Sequence, residues 1–266
     1  MMNIDRILRH LRIERAEPSR AALHAFLIAW SERIPWESAS RIARHTHPGS
    51  PEQYARDPDA FFDDALERGL GGTCFESNSA AAALLTELGY DVTRHLCDMS
   101  KEHVDPHCAL SVTLDDGRYL ADVGFPIPAA IPLNGEAQAA MTMVYRYHVE
   151  PVADQRWRIW RESGHFTGEC FVVKGEAVAP DTLRKRLVRD HFADGLFLNN
   201  VIIHRVIDGR MLRFDEVKGL IERTYDAEID LPWTDAQALD VPAAVASIFA
   251  ADVDVIRTAL QREAPA

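Results

Sequence analysis

The feature that most constrains the fold is a change in hydrophobic periodicity at Gly89. Before this glycine, apolar residues recur at helical spacing; after it, they alternate as they do in half-buried strands. The helical pattern covers residues 3–12, 19–34 and 57–68. A polar segment bearing Pro and His residues interrupts it and is predicted to be a loop up to about residue 56. The first 88 residues therefore predict a helical bundle.

Short alternating segments separated by turn residues follow Gly89. The predicted strands are residues 92–96, 109–114, 119–123, 144–149, 157–160 and 171–173. Asp116-Gly117 is a hairpin turn signal, and a two-residue loop there would pair Ser111 with Asp122. Several short antiparallel strands joined by turns are typical of a small barrel or sandwich.

The last third of the chain mixes both patterns. A helix is predicted over residues 181–193, a strand over 196–207, and a second strand over 211–214 after the turn Asp208-Gly209. Two or three helices follow, including residues 242–250 and 253–262. The whole chain is therefore predicted to be α+β.

One short stretch points to chemistry. A glycine turn, Gly69-Leu70-Gly71-Gly72, runs into Cys74 at the start of a predicted helix that ends near Gly89. Thr73 and Glu76 have the Thr-x-x-Glu spacing of a capping box, with Thr73 as the N-cap. The unpaired N–H groups and the positive dipole of a first turn favour a thiolate over a thiol. The alternative is that Cys74 is a small buried hydrophobic residue, as most lone cysteines are.

A nucleophilic cysteine needs a base, and His107 stands out by its context. It follows Pro106 at the start of a predicted strand, while Asp122 lies between apolar neighbours in the partner strand. A carboxylate there is costly unless a group such as an imidazole pairs with it. The loop at Asp116-Gly117 puts both on one face but four residues apart, roughly 13 Å at the rise of a strand. The pairing therefore needs a bend, a bulge or a different register.

Charge and composition exclude several classes of protein. The formal net charge of −12 argues against a nucleic-acid partner, because phosphate binding requires a basic surface. The sequence contains no run of about 18 apolar residues and begins without an apolar signal region, so no membrane partner is expected. Four scattered cysteines are too few for a disulfide scaffold. We therefore expect a cytoplasmic protein.

Four motifs, in this order and spacing, resemble those of the arylamine N-acetyltransferase family. They are Ile34-Pro35-Trp36-Glu37-Ser38, Gly71-Gly72-Thr73-Cys74-Phe75-Glu76-Ser77-Asn78, Pro106-His107-Cys108-Ala109-Leu110-Ser111-Val112 and Tyr119-Leu120-Ala121-Asp122-Val123-Gly124-Phe125. His107 stands 33 residues after Cys74, and Asp122 stands 15 residues after His107. The resemblance is firm over residues 20–126 and weaker over 197–213.

The resemblance implies a fold of three units. They are an N-terminal helical bundle carrying the nucleophilic cysteine (1–88), a central antiparallel β-barrel carrying the histidine and aspartate (89–190), and a C-terminal α/β lid with helices (191–266).

The resemblance also implies a catalytic triad of Cys74, His107 and Asp122, which works by a ping-pong mechanism. The acyl donor would be acetyl-CoA as co-substrate, and the acceptor an aromatic amine or hydrazine. Phe125 matches the family's cleft-lining phenylalanine and would bind the acceptor. No metal is expected.

Three residues depart from the family pattern and bear on the pocket. Leu70 replaces an arginine, Pro126 a glycine and Ser38 an asparagine. Related proteins include amide synthases, so one alternative is an amide synthase or thioesterase-like cysteine enzyme with a larger acyl group. A third possibility is a catalytically idle binding protein of the same fold, which the intact triad argues against.

Two further groups give weaker signals. His95, Cys97, His103, His107 and Cys108 are of metal-ligating types, but their spacing fits no zinc pattern. Arg184-Lys185-Arg186 could meet the phosphates of CoA, although a solvated helix face is the simpler interpretation.

Overall fold

The computed structural model describes residues 2–192 and 194–262, and these form ten helices and thirteen strands. The helices are α1 (Ile4–Leu11), α2 (Arg20–Arg33), α3 (Ala39–His45), α4 (Pro51–Tyr54), α5 (Pro58–Arg68), α6 (Cys74–Glu87), α7 (Pro180–Arg189), α8 (Asp235–Leu239), α9 (Val241–Phe249) and α10 (Val253–Leu260). The strands are β1 (Trp36–Glu37), β2 (Asp91–Asp98), β3 (His107–Leu114), β4 (Gly117–Ala121), β5 (Ile131–Pro132), β6 (Gln138–Met141), β7 (Arg146–Val152), β8 (Arg156–Ser163), β9 (Phe166–Val173), β10 (Ile202–Ile207), β11 (Arg210–Asp215), β12 (Gly219–Arg223) and β13 (Glu228–Leu231).

Helices α1, α2, α5 and α6 pack around a core of aromatic side chains. Trp30 stacks on Phe61 with ring centroids 5.9 Å apart, and Phe26 and Phe62 contact the same indole. Ala80, Ala81 and Ala82 at the centre of α6 are fully buried, which lets this helix lie directly against β3. That close approach positions the start of α6 beside the start of the strand.

Eight antiparallel strands form the central sheet, in the order β5-β4-β3-β2-β9-β8-β7-β6. Its two end strands, β5 and β6, lie next to each other, so the sheet is nearly closed. Inward-facing residues such as Tyr147, Val149, Ile159 and Phe171 fill the interior. This architecture confirms the barrel and rules out the sandwich that the strand pattern alone left open.

A second antiparallel sheet has the order β1-β10-β11-β12-β13 and packs against α9 and α10. Its edge strand β1 comes from the N-terminal segment, with Trp36 paired to His204 of β10. Ser38 strengthens this junction, since its hydroxyl donates to the carbonyl oxygen of Asn200 at 2.8 Å and accepts from the N–H of Ile202. We retain the division at residues 88 and 190 as a proposal.

Several predicted boundaries are wrong. The loop predicted up to residue 56 contains α3 and α4, and α3 starts where the Glu37 carboxylate accepts the N–H of Ser40. The strand predicted from residue 196 begins only at Ile202, because Phe197 has a φ of 62° that no strand accepts. The helix predicted to residue 193 ends at Arg189, and residue 193 lies outside the described residues.

The cysteines of the chain, Cys74, Cys97, Cys108 and Cys170, are all free and buried. Within the described residues, no helix is both long and apolar enough to cross a bilayer.

Candidate active site

Cys74 is the first residue of α6 and is 5% exposed. Gly69 ends α5 with a φ of 63°, and the chain then passes Gly71, where a Cβ would lie 1.7 Å from the carbonyl oxygen of Pro35. Only glycine fits this approach, so the glycine turn is what delivers the cysteine to the start of the helix. The Sγ of Cys74 lies 3.8 Å from the carbonyl oxygen of Pro106, beside the start of β3.

The predicted capping box between Thr73 and Glu76 is wrong. Thr73 is the N-cap residue, but its hydroxyl accepts a hydrogen bond from Arg41 rather than from the helix. Glu76 forms ion pairs with Arg44 and Arg56. Charge-assisted bonds are stronger than neutral ones, so the arginines engage both side chains. In the described part of the chain, the first-turn N–H groups of α6 therefore lack a side-chain cap.

Arg56 is a buried cation beneath the glycine turn. Its Nη2 donates to the carbonyl oxygen of Gly71 at 2.5 Å and to Glu76 at 3.0 Å. Burial opposes the charge of Glu76, but Arg56 and Arg44 outweigh it and hold the pKa of Glu76 well below its ordinary range. Leu70, the departure from the family arginine, packs into the apolar cluster beneath α9 and α10. The guanidinium that contacts this turn belongs to Arg56, which lies 15 residues before Gly71 in the chain.

His107 begins β3, and Asp122 follows the end of β4. The Nε2 atom of His107 lies 2.7 Å from Oδ2 of Asp122, which is fully buried. The other carboxylate oxygen accepts the N–H groups of Gly124 and Phe125 at 2.9 and 3.0 Å and the amide of Asn78 at 2.9 Å. Both oxygens of Asp122 are therefore fixed, and they fix the imidazole in turn.

The hairpin register predicted from Asp116-Gly117 is wrong, and the correction explains how the pair meets. The loop is Asp115-Asp116, and Gly117 begins the returning strand with a φ of 143°. Glycine therefore absorbs the positive φ after the turn rather than within it. The pairing of β4 with β3 is shifted by two residues, which brings Asp122 two residues closer to His107. The strand also ends before Asp122, so its side chain can turn towards the imidazole.

Asn78 joins the cysteine helix to both strands. Its Nδ2 donates to the carbonyl oxygen of Cys108 at 2.7 Å and to Asp122 at 2.9 Å, and its Oδ1 accepts the N–H of Val123 at 3.2 Å. No role was predicted from the sequence for this fully buried residue. The available signal was its position four residues after Cys74, which puts both side chains on one face of the helix.

The surroundings of His107 favour the imidazolium form. Burial opposes the charge, but the carboxylate of Asp122 and the hydrogen bonds with Asp122 and Cys74 outweigh it and raise the pKa of His107 to about 10. The ring also contacts Phe125 and Phe171, at centroid distances of 5.9 and 4.7 Å. At neutral pH the site therefore holds a positive charge beside the sulfur of Cys74.

Cys74 and His107 line a cleft of about 230 Å³. Its apolar and aromatic lining includes Trp36, Met99, Phe125, Tyr147, Phe197 and Met211. Its basic side chains, besides that of His107, are Arg161, His204, Arg213 and Arg223. Of these aromatic, apolar and basic residues, only Phe125 was predicted from the sequence to line the cleft, because the others come from strands and loops that are far apart in the chain.

The other groups singled out from the sequence have partners elsewhere. Arg184 donates to the carbonyl oxygen of Ala55 at 2.7 Å, and Arg186 pairs with Asp105 at 2.9 Å. Neither belongs to the described lining of the cleft. His95 is hydrogen-bonded to a serine hydroxyl at 2.8 Å. Among the described residues, no group of three or more His, Cys, Asp and Glu is arranged to hold a metal ion.

Comparison with known sequences finds a matching family model and individual relatives. A family model described as N-acetyltransferase matches residues 21–194. An arylamine N-acetyltransferase from Mycolicibacterium smegmatis is 32% identical over 160 residues, which are 57% of this chain and 52% of that protein. The match thus spans about half the length of that relative. The proansamycin X synthase of Amycolatopsis mediterranei is 38% identical over 211 residues, which are 65% of this chain and 78% of that protein.

Comparison with solved structures identifies the same fold. The arylamine N-acetyltransferase of Mycobacterium marinum, solved in complex with CoA, aligns with a TM-score of 0.83 at 19% identity over 97% of both chains. The predicted α+β fold with a helical bundle and an antiparallel barrel is confirmed by this likeness.

Proposed function

Because the chain belongs to the arylamine N-acetyltransferase family, we propose that it transfers an acetyl group from acetyl-CoA to an aromatic amine or hydrazine, by way of an acyl-cysteine at Cys74. The observation that carries this proposal is the arrangement of three buried side chains. Cys74 starts a helix, His107 lies 2.7 Å from Asp122, and the sulfur and the imidazole line one cleft. Cysteine, base and orienting carboxylate are the parts that nucleophilic acyl transfer requires.

The first half-reaction acylates the enzyme. The Cys74 thiolate attacks the thioester carbonyl carbon, a C–S bond forms, and the carbonyl electron pair moves to oxygen. When the tetrahedral intermediate collapses, the bond to the CoA sulfur breaks, and the His107 imidazolium protonates the departing thiolate. Asp122 keeps the imidazole oriented throughout.

The second half-reaction releases the product. The amine nitrogen attacks the acyl carbon, and His107, now neutral, accepts the amine proton. The C–S bond to Cys74 then breaks, and the cysteine leaves as a thiolate beside the restored imidazolium. One acetyl-CoA and one amine give one amide and one CoA thiol. Phe125 provides an aromatic face against which the ring of the acceptor can pack.

Isotope exchange tests this proposal. A ping-pong enzyme exchanges labelled CoA into unlabelled acetyl-CoA without any acceptor, whereas direct transfer in a ternary complex does not. We expect exchange in the wild type, none in Cys74→Ser, and an undiminished rate in Cys170→Ser, a control cysteine that is equally buried. Amide formation without acceptor-free exchange would refute the acyl-enzyme mechanism.

Amide-bond formation with a larger acyl group is the second candidate, and the identity to proansamycin X synthase favours it. The cleft argues for the smaller group, since about 230 Å³ is below the roughly 300–1,000 Å³ of pockets that hold drug-sized ligands. Acylation rates with acetyl-CoA and with longer acyl-CoA thioesters distinguish the two. Faster acylation by the longer thioesters would replace the first proposal with the second.

A further inference from the structure

One edge of strand β3 is uncovered beside the active site. Strand β4 pairs with β3 only over residues 110–114, so the backbone groups that precede this segment on the same edge need other partners. The carbonyl oxygen of Cys108 accepts the side-chain amide of Asn78 at 2.7 Å. Pro106 lies two residues earlier, so its carbonyl group faces the same edge as that of Cys108.

The carbonyl oxygen of Pro106 faces the nucleophile. It lies 3.8 Å from the Sγ of Cys74, and Pro106 lines the same cleft as Cys74 and His107. Among the described residues, the thiol of Cys74, a weak donor, is the only hydrogen-bond donor to this oxygen. Because proline has no N–H, this end of the strand presents an acceptor and no donor of its own.

A cluster of charged side chains fixes the residue before Pro106. Asp105 has a φ of 60°, which bends the chain immediately before the proline. Its carboxylate pairs with Lys174 at 2.6 Å and with Arg186 at 2.9 Å, and its N–H donates to Asp98 at 3.1 Å. Lys174 also pairs with Asp98, at 2.8 Å. The direction of the Pro106 carbonyl therefore depends on this Asp105 cluster.

Acylation of Cys74 changes what the Pro106 oxygen faces. The sulfur of an acyl-cysteine carries no hydrogen, so the oxygen then has no donor within the described part of the chain. A nucleophile attacks the acyl carbon from about 3–3.5 Å, and an oxygen 3.8 Å from the attached sulfur lies beside that path. An unpaired acceptor there is costly, and a donor on the incoming molecule removes the cost. An amine has one to spare, because its nitrogen carries two hydrogens and the base takes one.

We propose that the Pro106 carbonyl oxygen accepts the second N–H of the amine while the amine nitrogen attacks the acyl carbon. This inference rests on the proposed function and adds a catalytic group to its second half-reaction. As the C–N bond forms, the nitrogen becomes positively charged. His107 takes one proton, the other hydrogen stays on the nitrogen of the amide, and the C–S bond breaks to release the Cys74 thiolate. The hydrogen bond to the Pro106 oxygen is stronger on the charged nitrogen than on the free amine, and only such a difference accelerates the step.

The proposal separates acceptors by the number of hydrogens on the attacking atom. Primary amines and the terminal nitrogen of hydrazines have two, whereas alcohols and N-methyl amines have one. The CoA thiol also has one, so transfer between acetyl-CoA and Cys74 does not use the carbonyl. Because His107 follows Pro106 directly, one segment of β3 serves both hydrogens of the amine.

The test measures the two half-reactions separately in Lys174→Met and Asp105→Asn. Both variants weaken the Asp105 cluster, and asparagine tolerates the positive φ of residue 105. Aminolysis of acetyl-Cys74 by 4-methoxyaniline is expected to fall about 10-fold or more, the value of a hydrogen bond to a charged group. Acceptor-free exchange of CoA into acetyl-CoA is expected to keep its wild-type rate. Arg158→Met is the matched control, because it removes a cation from exposed ion pairs with Glu150 and Glu169.

A second acceptor isolates the hydrogen bond from other effects of these variants. N-methyl-4-methoxyaniline keeps the one N–H that the base needs and lacks the second. The preference for the primary amine over this compound is therefore expected to fall in Lys174→Met and Asp105→Asn by the same factor as aminolysis. An unchanged preference would overturn the proposal. So would equal losses in aminolysis and in CoA exchange, since a displaced His107 impairs both half-reactions.

An acyl donor without CoA separates this proposal from the proposed function. Acetylation of Cys74 by 4-nitrophenyl acetate prepares the same acyl-enzyme, and its rate replaces CoA exchange as the reference. A selective loss of aminolysis in the variants, with no CoA exchange in the wild type, would overturn only the proposed function. Failure of both donors to acetylate Cys74 would overturn the two together.

Discussion

Gly124, two residues after Asp122, lies directly against the start of the cysteine helix α6. A Cβ at this residue would lie 2.7 Å from the Cα and 2.9 Å from the Cβ of Cys74, and 2.5 Å from Nδ2 of Asn78. The Cα of Cys74 is a backbone atom and its Cβ is bonded directly to that atom, so neither can swing aside as the end of a flexible side chain could. Gly124→Ala must therefore separate the helix from the strand end.

The required displacement gives the size of the effect. Moving the Cα of Cys74 from 2.7 Å to the 3.4 Å at which ordinary contact begins takes roughly 0.7 Å. A misplacement of about 1 Å at a reacting group costs about 100-fold in rate, so Gly124→Ala should lose about 10- to 100-fold in the acylation rate of Cys74. Overpacking costs about 1–3 kcal/mol, so the protein should remain folded.

The assay is a quenched time course of Cys74 acylation by acetyl-CoA, followed by intact-protein mass, with urea unfolding to check the fold. Gly135→Ala is the matched control, because none of the described atoms lies within 4 Å of its added Cβ. It should acylate like the wild type. A wild-type acylation rate in Gly124→Ala would refute the argument that this close approach sets the geometry of the site.

Two further predictions concern charge. Asp122→Asn removes the carboxylate that raises the pKa of His107 to about 10, so the pH at which the imidazolium is lost should fall towards 6.5, and alkylation of Cys74 by iodoacetamide should slow at pH 8. In the wild type, the ion pair between His107 and Asp122 stabilises the fold fully below pH 6.5, and this stabilisation is lost as the pH rises through about 10. An alkylation rate of Cys74 with the same pH dependence in Asp122→Asn as in the wild type would contradict the role of Asp122. Glu76→Gln leaves the buried Arg56 and the partly buried Arg44 undercompensated and should cost about 3–5 kcal/mol in urea unfolding. The arginines lower the pKa of Glu76, so the stabilisation that its carboxylate provides is fully present above pH 4.5, the ordinary pKa. It is lost only as the pH falls through the lowered pKa. A wild-type protein that is already no more stable than Glu76→Gln near pH 5 would contradict this account.

The sequence predicted those parts of the site that depend on local signals. The glycine turn and the apolar run after it specify that Cys74 starts a helix, whatever the rest of the chain does. His107 and Asp122 were singled out because a buried carboxylate needs a partner, and the structure places them 2.7 Å apart. The helical bundle and the antiparallel strands followed from the change of period at Gly89, since residues on each side agree with one type of element. The choice of a barrel over a sandwich came from the resemblance to the family and not from the strand pattern.

The errors come from interactions between distant segments. Thr73 and Glu76 have the spacing of a capping box, but arginines some 20 to 32 residues away in the chain engage both side chains. The register of the hairpin depends on which residue takes a positive φ, and Gly117 could stand in the turn or after it. Arg161 was missed for a similar reason. The alternation of Trp157 and Ile159 marks an inward row, but only the closed barrel shows that its last member faces the cleft.

Intact-protein mass after mixing with acetyl-CoA and no acceptor tests the central claim most directly. We predict one added acetyl group, located on Cys74 by peptide mapping, absent in Cys74→Ala and discharged by an aromatic amine with formation of the amide. An acetyl group on another residue, or one on Cys74 that amines and hydrazines fail to remove, would contradict the claim that Cys74 carries the acyl group from donor to acceptor.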